Sequence, residues 1–285
     1  MFDFSPPSPL VYQDLLKTAL LEDLGMAGDL TSEVAVPATA RARTEVRVRP
    51  AGRIAGLPMA VETFRLVSPE ISVEILRPEG SDVAPGEVVA VVEGPARAVM
   101  TGERVALNLM QRLSGIATVT ARAAADAAKH GARVACTRKT TPGLRALEKY
   151  AVKVGGGVNH RFGLDDGILV KDNHIAAAGG LDAVLDRIQG RVGHMVKVQI
   201  EVDSLDQLEV LLKRPVDAVL LDNMGPDVLR KAVAMVAGRM ITEASGGIRP
   251  EMVADYAASG VDMLSLGWLT HSAPSLDIGL DFSFS

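Results

Sequence analysis

From residue 131 onward the chain repeats one pattern, a short apolar run followed by an amphipathic stretch, at intervals of roughly 20 to 30 residues, the repeat of a βα unit. The runs lie at 132–136, 167–170, 196–202, 217–222, 240–245 and 262–267. Between them, Ser204 is placed to cap a helix that carries Leu205, Leu208 and Leu212 on one face, and a second helix groups Val228, Val233 and Val236. Repeated units of this kind build a parallel sheet. The spacing fits an α/β barrel, and an open doubly wound sheet shares the same local signature.

The first hundred residues follow another rule. Val46 and Val48 alternate with charged neighbours, and "ISVEILRP" and "EVVAVVEG" add short strands separated by Pro and Gly. Such a pattern predicts a separate α/β module with antiparallel strands. A long helical segment from near Thr101 links the two modules, with a break expected at Gly115. Near the other end, Leu276, Ile278, Leu280 and Phe282 alternate as one more strand, which could return to the first module. The division expected is therefore 1–113 with 272–285 returning to it, and 114–271 as the barrel.

Composition narrows the partners. Nearly half of the 285 residues are apolar, which suffices for a full core. No uninterrupted apolar run approaches the roughly 20 residues of a bilayer-spanning helix, so no membrane span is expected. The first residues lack the basic start and apolar centre of a secretory signal. A single cysteine, Cys136, excludes an internal disulfide and fits a reducing cytoplasm. It lies in a strand without an evident base, which favours packing over nucleophilic work. No spaced Cys or His cluster suggests zinc. A net charge of −5 argues against general nucleic-acid binding. Yet between Arg138 and Lys171 seven Lys or Arg face three acids, a segment better suited to a small anion.

In a barrel, residues just past each strand enter a common mouth. Here they are Arg138 and Lys139, Lys171 and Asp172, Glu201, Asp222, Ser245 with Gly246 and Gly247, and Gly267. Arg138, Lys139, Arg161 and Lys171, with His160 beside them, form a cationic wall for carboxylates and phosphates. His160 could equally be a structural hydrogen-bond partner, and Gly155 could simply close a helix. Glu201 and Asp222 are hard oxygen ligands, and two carboxylates beside bound phosphates are what Mg²⁺ typically uses. Gly246 and Gly247 let backbone approach a ligand, and a helix starting near Pro250 would aim N–H groups at an anion.

These residues resemble the quinolinate phosphoribosyltransferase (carboxylating nicotinate-nucleotide pyrophosphorylase) family of type II phosphoribosyltransferases. The likeness runs through "LLEDLGMAGDLTS", "GERVALNLMQRLSGIAT", "TRKTTPGLRALEKYAVKVGGGVNHRFGLDDGILVKDNH", "IEVDSLDQL", "LLDNM" and "EASGGI". It implies an incomplete α/β barrel with an N-terminal α/β sandwich, a homodimer with shared sites, and use of Mg²⁺ with phosphoribosyl pyrophosphate. By the same resemblance, Arg104, Arg138, His160, Arg161 and Lys171 hold the quinolinate carboxylates. Lys139, Glu201 and Asp222 attend the sugar and Mg-pyrophosphate, while Ser245, Gly246, Gly247 and Gly267 hold the 5′-phosphate. One departure is visible: the position before "TRKT" is often Asp in the family and here is Cys136. Three other readings compete: a phosphoribosyltransferase for a monocarboxylate such as nicotinate, a Schiff-base lyase built on Lys171 or Lys139, and a non-catalytic binding protein.

Overall fold

A computed structural model of the chain describes residues 5–188 and 190–283. It divides into two compact units: Met1–Ala121, Thr141–Gly156 and Ser272–Ser285 form one, and Arg122–Thr140 with Gly157–His271 form the other.

In the first unit, α1 (Pro9–Leu24) and α2 (Leu30–Ala35) are capped by the side chains of Ser8 and Asp29, which accept backbone N–H groups at the helix starts. Next come β1 (Arg41–Val48), β2 (Gly52–Arg53), α3 (Leu57–Val67), β3 (Ser72–Ile75), β4 (Asp82–Val83), β5 (Val88–Pro95) and the 33-residue α4 (Ala96–Ala128), whose residues from 122 onward belong to the second unit. Along β1, Ala42, Thr44, Val46 and Val48 are buried while Arg41 and Arg43 stay exposed, so the strand presents one face to a core. That core joins Val46, Val48, Val89 and Val92 of the sheet to Phe64 of α3 and Val99, Leu107 and Met110 of α4.

The second unit holds β6 (Arg133–Ala135). The chain then returns to the first unit for α5 (Arg145–Val154). Beyond it lie β7 (Ile168–Val170), α6 (Asp172–Ala178), α7 (Leu181–Ile188), β8 (Val198–Val202), α8 (Leu205–Leu211), β9 (Ala218–Asp222) and α9 (Pro226–Val236). After β10 (Ile241–Ser245), one 3-10 turn at Pro250–Met252 leads into α10 (Val253–Ala257), β11 (Met263–Ser265) and α11 (Trp268–His271). All six expected strands form, in one parallel sheet ordered β6-β11-β10-β9-β8-β7. Among the described residues β6 and β7 do not pair with each other, which leaves the barrel incomplete. Ile200, Val202, Val219, Leu221, Ala244 and Leu264 join the apolar core with Leu208, Leu229, Ala232 and Val253 of the helices. The alternate positions on each strand point the other way.

Ser204 caps α8 as expected, its hydroxyl accepting from Gln207 N. The expected face of α9 is corrected. Val228 is exposed, and the buried stripe is Leu229, Ala232 and Val236 with Val233 packed beside it. Those four positions follow the i, i+3, i+4, i+7 spacing, which Val228 does not share.

Finally β12 (Ile278–Ser283) pairs antiparallel with β1, completing the first unit's sheet in the order β12-β1-β5-β3. Asp281 on β12 binds both Arg47 and Arg49, at 3.0 and 2.6 Å. The boundaries expected from sequence, 1–113 and 114–271, shift: residues 114–121 and 141–156 belong with the first unit. Positions 1–4, 189, 284 and 285 of that division lie outside the described residues. The packing of α5 explains the shift. Its fully buried Glu148 accepts from Arg112 Nε and Nη2 at 3.1 and 2.9 Å, and from Thr141 N and Oγ1 at 3.0 and 2.8 Å. A buried carboxylate needs such a set of donors, and here they come from α4 and from the chain leading into α5.

The break expected at Gly115 is absent, for α4 runs through it without interruption. The glycine serves close approach instead: a Cβ there would lie 2.0 Å from the carbonyl oxygen of Pro274. Gly115→Ala should therefore destabilise the fold by about 1–3 kcal/mol, the usual cost of overpacking, despite alanine's better helix propensity. Urea unfolding measures this, and an unchanged or raised midpoint contradicts it.

Glu79 lies against the N-terminus of α3, where its oxygens accept from Gly56 N at 2.6 Å and Leu57 N at 3.0 Å. Loss of hydration pushes its pKa up from 4.5 to about 7, against the opposing pull of those two amides. The folded protein thus holds this proton more tightly than the unfolded chain does. The stabilisation from protonated Glu79 is complete below pH 4.5 and fades as pH rises through about 7. Denaturation series between pH 5 and 8 should show wild-type stability declining more steeply with pH than that of Glu79→Gln. Parallel curves would refute the assignment.

Candidate active site

A cavity of about 740 Å³ opens within the second unit, in the size range of small-molecule sites. Five Lys or Arg and three acids line it, in a chain whose overall charge is negative. Because side chains two apart on a strand share a face, the lining falls into two layers. Lys171, Glu201, Asp222, Ser245 and Gly267 occupy the upper layer, each at or just past a strand end. Two residues earlier on the same strands lie Leu169, Gln199, Leu220, Glu243 and Ser265, all of which except Gln199 line the floor.

The expected site residues Arg138, Lys139, His160, Arg161, Lys171, Glu201, Asp222, Ser245, Gly246, Gly247 and Gly267 all line this cavity. Arg104 does not. It belongs to the first unit, on α4, where its exposed guanidinium lies 3.4 Å from Glu103. Burial lowers the pKa of Arg161, and the neighbouring Arg138 guanidinium pushes the same way. Arg138 Nε is buried and finds no hydrogen-bond partner within the protein. Two like charges brought together with a donor to spare constitute a standing demand for an anion.

Lys139 is fixed through its backbone: its N–H donates to Thr137 Oγ1 at 3.1 Å, and its carbonyl accepts from Thr270 Oγ1 at 2.7 Å. A Cβ on Gly267 would come within 2.9 Å of the Lys139 side chain, so the glycine lets the lysine pass. Lys171 is ion-paired with Glu201 at 2.6 Å, an interaction that spacing alone did not reveal. Its backbone N–H donates to His174 Nδ1 at 2.9 Å, which fixes the chain where α6 begins. Asp222 accepts from the Asn223 side-chain amide at 2.5 Å. Gly246 has φ 100°, and a Cβ there would collide with Asn223. The helix expected near Pro250 is short, a 3-10 turn followed by five α-helical residues.

Gly155 closes α5, and the glycines at 155–157 are not part of the cavity lining. Cys136 is buried, its thiol donating to Asn159 Oδ1 at 3.2 Å, consistent with packing. Among the described residues no group of three or more His, Cys, Asp or Glu could hold a metal ion by itself. No helix there is long and apolar enough to cross a membrane. Sequence reasoning missed Glu243, Ser265, Trp268 and His271 in the lining, and Gln199, which bonds to His160. Gln199, Glu243 and Ser265 stand two residues before Glu201, Ser245 and Gly267, and only the register of the strands groups them.

Sequence profiles of a known family match both parts of the chain. The C-terminal domain of quinolinate phosphoribosyl transferase covers residues 116–281, and its N-terminal domain covers 29–114. A probable nicotinate-nucleotide pyrophosphorylase [carboxylating] of Bacillus subtilis (strain 168) is 42% identical, over 97% of this chain and 95% of its own length. Quinolinate phosphoribosyltransferase [decarboxylating] 1 of Nicotiana glauca is 38% identical, over 96% and 84%. The crystal structure of NadC from Streptococcus pyogenes superposes with a TM-score of 0.94 at 36% identity, covering 99% of each chain. With both domains matched, the two-unit fold reproduced and the cationic cavity in place, the chain belongs to the quinolinate phosphoribosyltransferase family.

Proposed function

We propose that the protein transfers phosphoribose from phosphoribosyl pyrophosphate to quinolinate with loss of CO₂, giving nicotinate mononucleotide and pyrophosphate. The observation that carries this reading is the guanidinium pair Arg138 and Arg161 at one cavity. Quinolinate offers adjacent carboxylates, and two planar cations side by side suit such a dianion better than a monocarboxylate. Held there, the ring nitrogen faces C1 of the sugar, and attack proceeds as pyrophosphate departs through an oxocarbenium-like transition state. Lys139 stabilises the charge on the leaving group. Ser245, Gly246, Gly247 and Gly267 are the residues we assign to the 5′-phosphate. Once the nitrogen is alkylated, the pyridinium accepts the electrons released as the neighbouring carboxylate leaves, and the ring carbon then takes a proton from water.

Glu201 and Asp222 would hold Mg²⁺, which when bound supplies neutralisation of the pyrophosphate charge. The pair fits that use: an ion that keeps waters and substrate phosphates as ligands needs only one or two carboxylates from the protein. The Schiff-base reading is weakened because Lys171 is paired with Glu201 and so is not offered as a nucleophile. A single buried cysteine accords with work in the cytoplasm.

Incubation with quinolinate, phosphoribosyl pyrophosphate and Mg²⁺ should release CO₂ and pyrophosphate in equal amounts. Excess chelator should abolish the release, and nicotinate should replace quinolinate poorly. Equal turnover of nicotinate would favour the monocarboxylate reading, whereas ligand binding without pyrophosphate would favour a binding protein.

We further propose a homodimer in which Arg104 serves the partner's cavity. The exposed apolar side chains Leu10, Leu21, Leu30 and Val34 on α1 and α2 supply surface suited to a second copy. Chains carrying Arg104→Ala and Lys139→Ala, each nearly inactive alone, should recover about a quarter of wild-type activity once subunits exchange, because half the dimers are mixed and one of their two sites is intact. No recovery after verified exchange would count against shared sites.

A further inference from the structure

Three polar residues lie one layer beneath the strand ends, Glu243 and Ser265 lining the cavity and Gln199 bonded to the lining residues His160 and Glu243, and the proposed chemistry leaves them without a role. Gln199 on β8, Glu243 on β10 and Ser265 on β11 are 9, 5 and 5% exposed. They are joined to one another and to His160. The Arg161 backbone N–H donates to His160 Nδ1 at 2.8 Å, which makes Nδ1 an acceptor. In a neutral imidazole the other nitrogen then carries the hydrogen. That nitrogen, Nε2, lies 2.8 Å from Gln199 Oε1, so it donates to the amide oxygen. Gln199 Nε2 in turn donates to Glu243 Oε2 at 2.8 Å, and the Ser265 hydroxyl donates to Glu243 Oε1. The Arg161 N–H sets the histidine end of the chain, and the other end is the carboxylate of Glu243, which accepts from Gln199 and Ser265.

The geometry points to Gln199, Glu243 and Ser265 as positioning residues for the quinolinate site, acting through His160. This inference rests on the functional reading above, which left His160 without a stated role. With Nδ1 and Nε2 both engaged by the protein, the His160 ring is held in one orientation at the cavity wall. Its ring ties the main chain at Arg161 to the rigid strands of the sheet. Arg161 Nη1 is held further along by Gly167 O at 3.1 Å. Arg161 is thereby braced at backbone and side chain, and a guanidinium so fixed loses little freedom when it binds an anion. Glu243 is the element that makes the chain directional: as a fixed acceptor it orients the Gln199 amide with its oxygen towards His160.

Two measurements test the proposal. Histidine labelled with ¹⁵N gives a tractable spectrum, because the chain has five histidines. His160 should show a protonated Nε2 and an unprotonated Nδ1, both without ligand and with saturating quinolinate. Protonation of both nitrogens on adding quinolinate, or transfer of the Nε2 hydrogen bond to the ligand, would overturn the proposal. The second measurement is kinetic. Gln199→Met keeps the side-chain length and removes both hydrogen-bonding groups, and it should raise KM for quinolinate about tenfold while KM for phosphoribosyl pyrophosphate stays within about twofold. Two unchanged constants, or a common rise in both, would equally refute it. If the wild-type protein does not turn over quinolinate the functional reading fails, yet the spectrum still decides the network, since two exchanging tautomers in the ligand-free protein contradict it.

Discussion

The site depends on the pleat of a parallel strand, which repeats its orientation every second residue and so assigns alternate side chains to opposite environments. In the second unit one set, including Ile200, Val219, Leu221, Ala244 and Leu264, meets the helices in an apolar core. The other set must then share the interior of the sheet, where polar groups survive only if they are mutually satisfied or left for a ligand. Both solutions occur, in adjacent layers. Gln199, Glu243 and Ser265 satisfy each other below, while Arg138 at the mouth keeps a buried donor without a partner. A register slip of one residue on β8 or β10 would exchange these with core positions and abolish site and core together.

How much of this could be read in advance varies with the range of the interaction concerned. All six strands of the parallel sheet were legible, since each is an apolar run bounded by polar residues, and the identity of the residue just past a strand is a local property. The upper layer of the cavity was legible for the same reason. The floor was not, because a Gln, a Glu and a Ser set in apolar runs look like scattered polar residues until the register of β8, β10 and β11 brings them together. The ion pair of Lys171 with Glu201 escaped likewise, as it joins two strands. Gly115 misled because a glycine in a helical pattern signals a break, and only the distant Pro274 carbonyl explains its presence. The assignment of α5 to the first unit turns on buried Glu148 and its partner Arg112, separated by 36 residues.

The charge pattern of the cavity is graded. Arg138 and Arg161 sit close enough for one to lower the pKa of the other, whereas Lys171 already has a carboxylate. An anion arriving at the guanidinium pair relieves repulsion. One arriving at Lys171 must compete with Glu201. Affinity and charge compensation are thus divided between neighbouring strands, which favours a dianion seated at one end of the cavity over diffuse attraction of anything negative.

The pairing of β12 with β1 bears on how the protein is made. Arg47 and its partner Asp281 stand 234 residues apart. A ribosome extending the chain from the N-terminus delivers β1 long before β12 exists, so one flank of the first unit's sheet stays open through most of synthesis, offering unpaired backbone to any strand nearby. The exposed Arg41 and Arg43 on β1 are the kind of charged edge that discourages intermolecular pairing. Charge on that strand would discourage a wrong neighbour during the interval, and Arg47 favours the strand that carries Asp281 once it emerges.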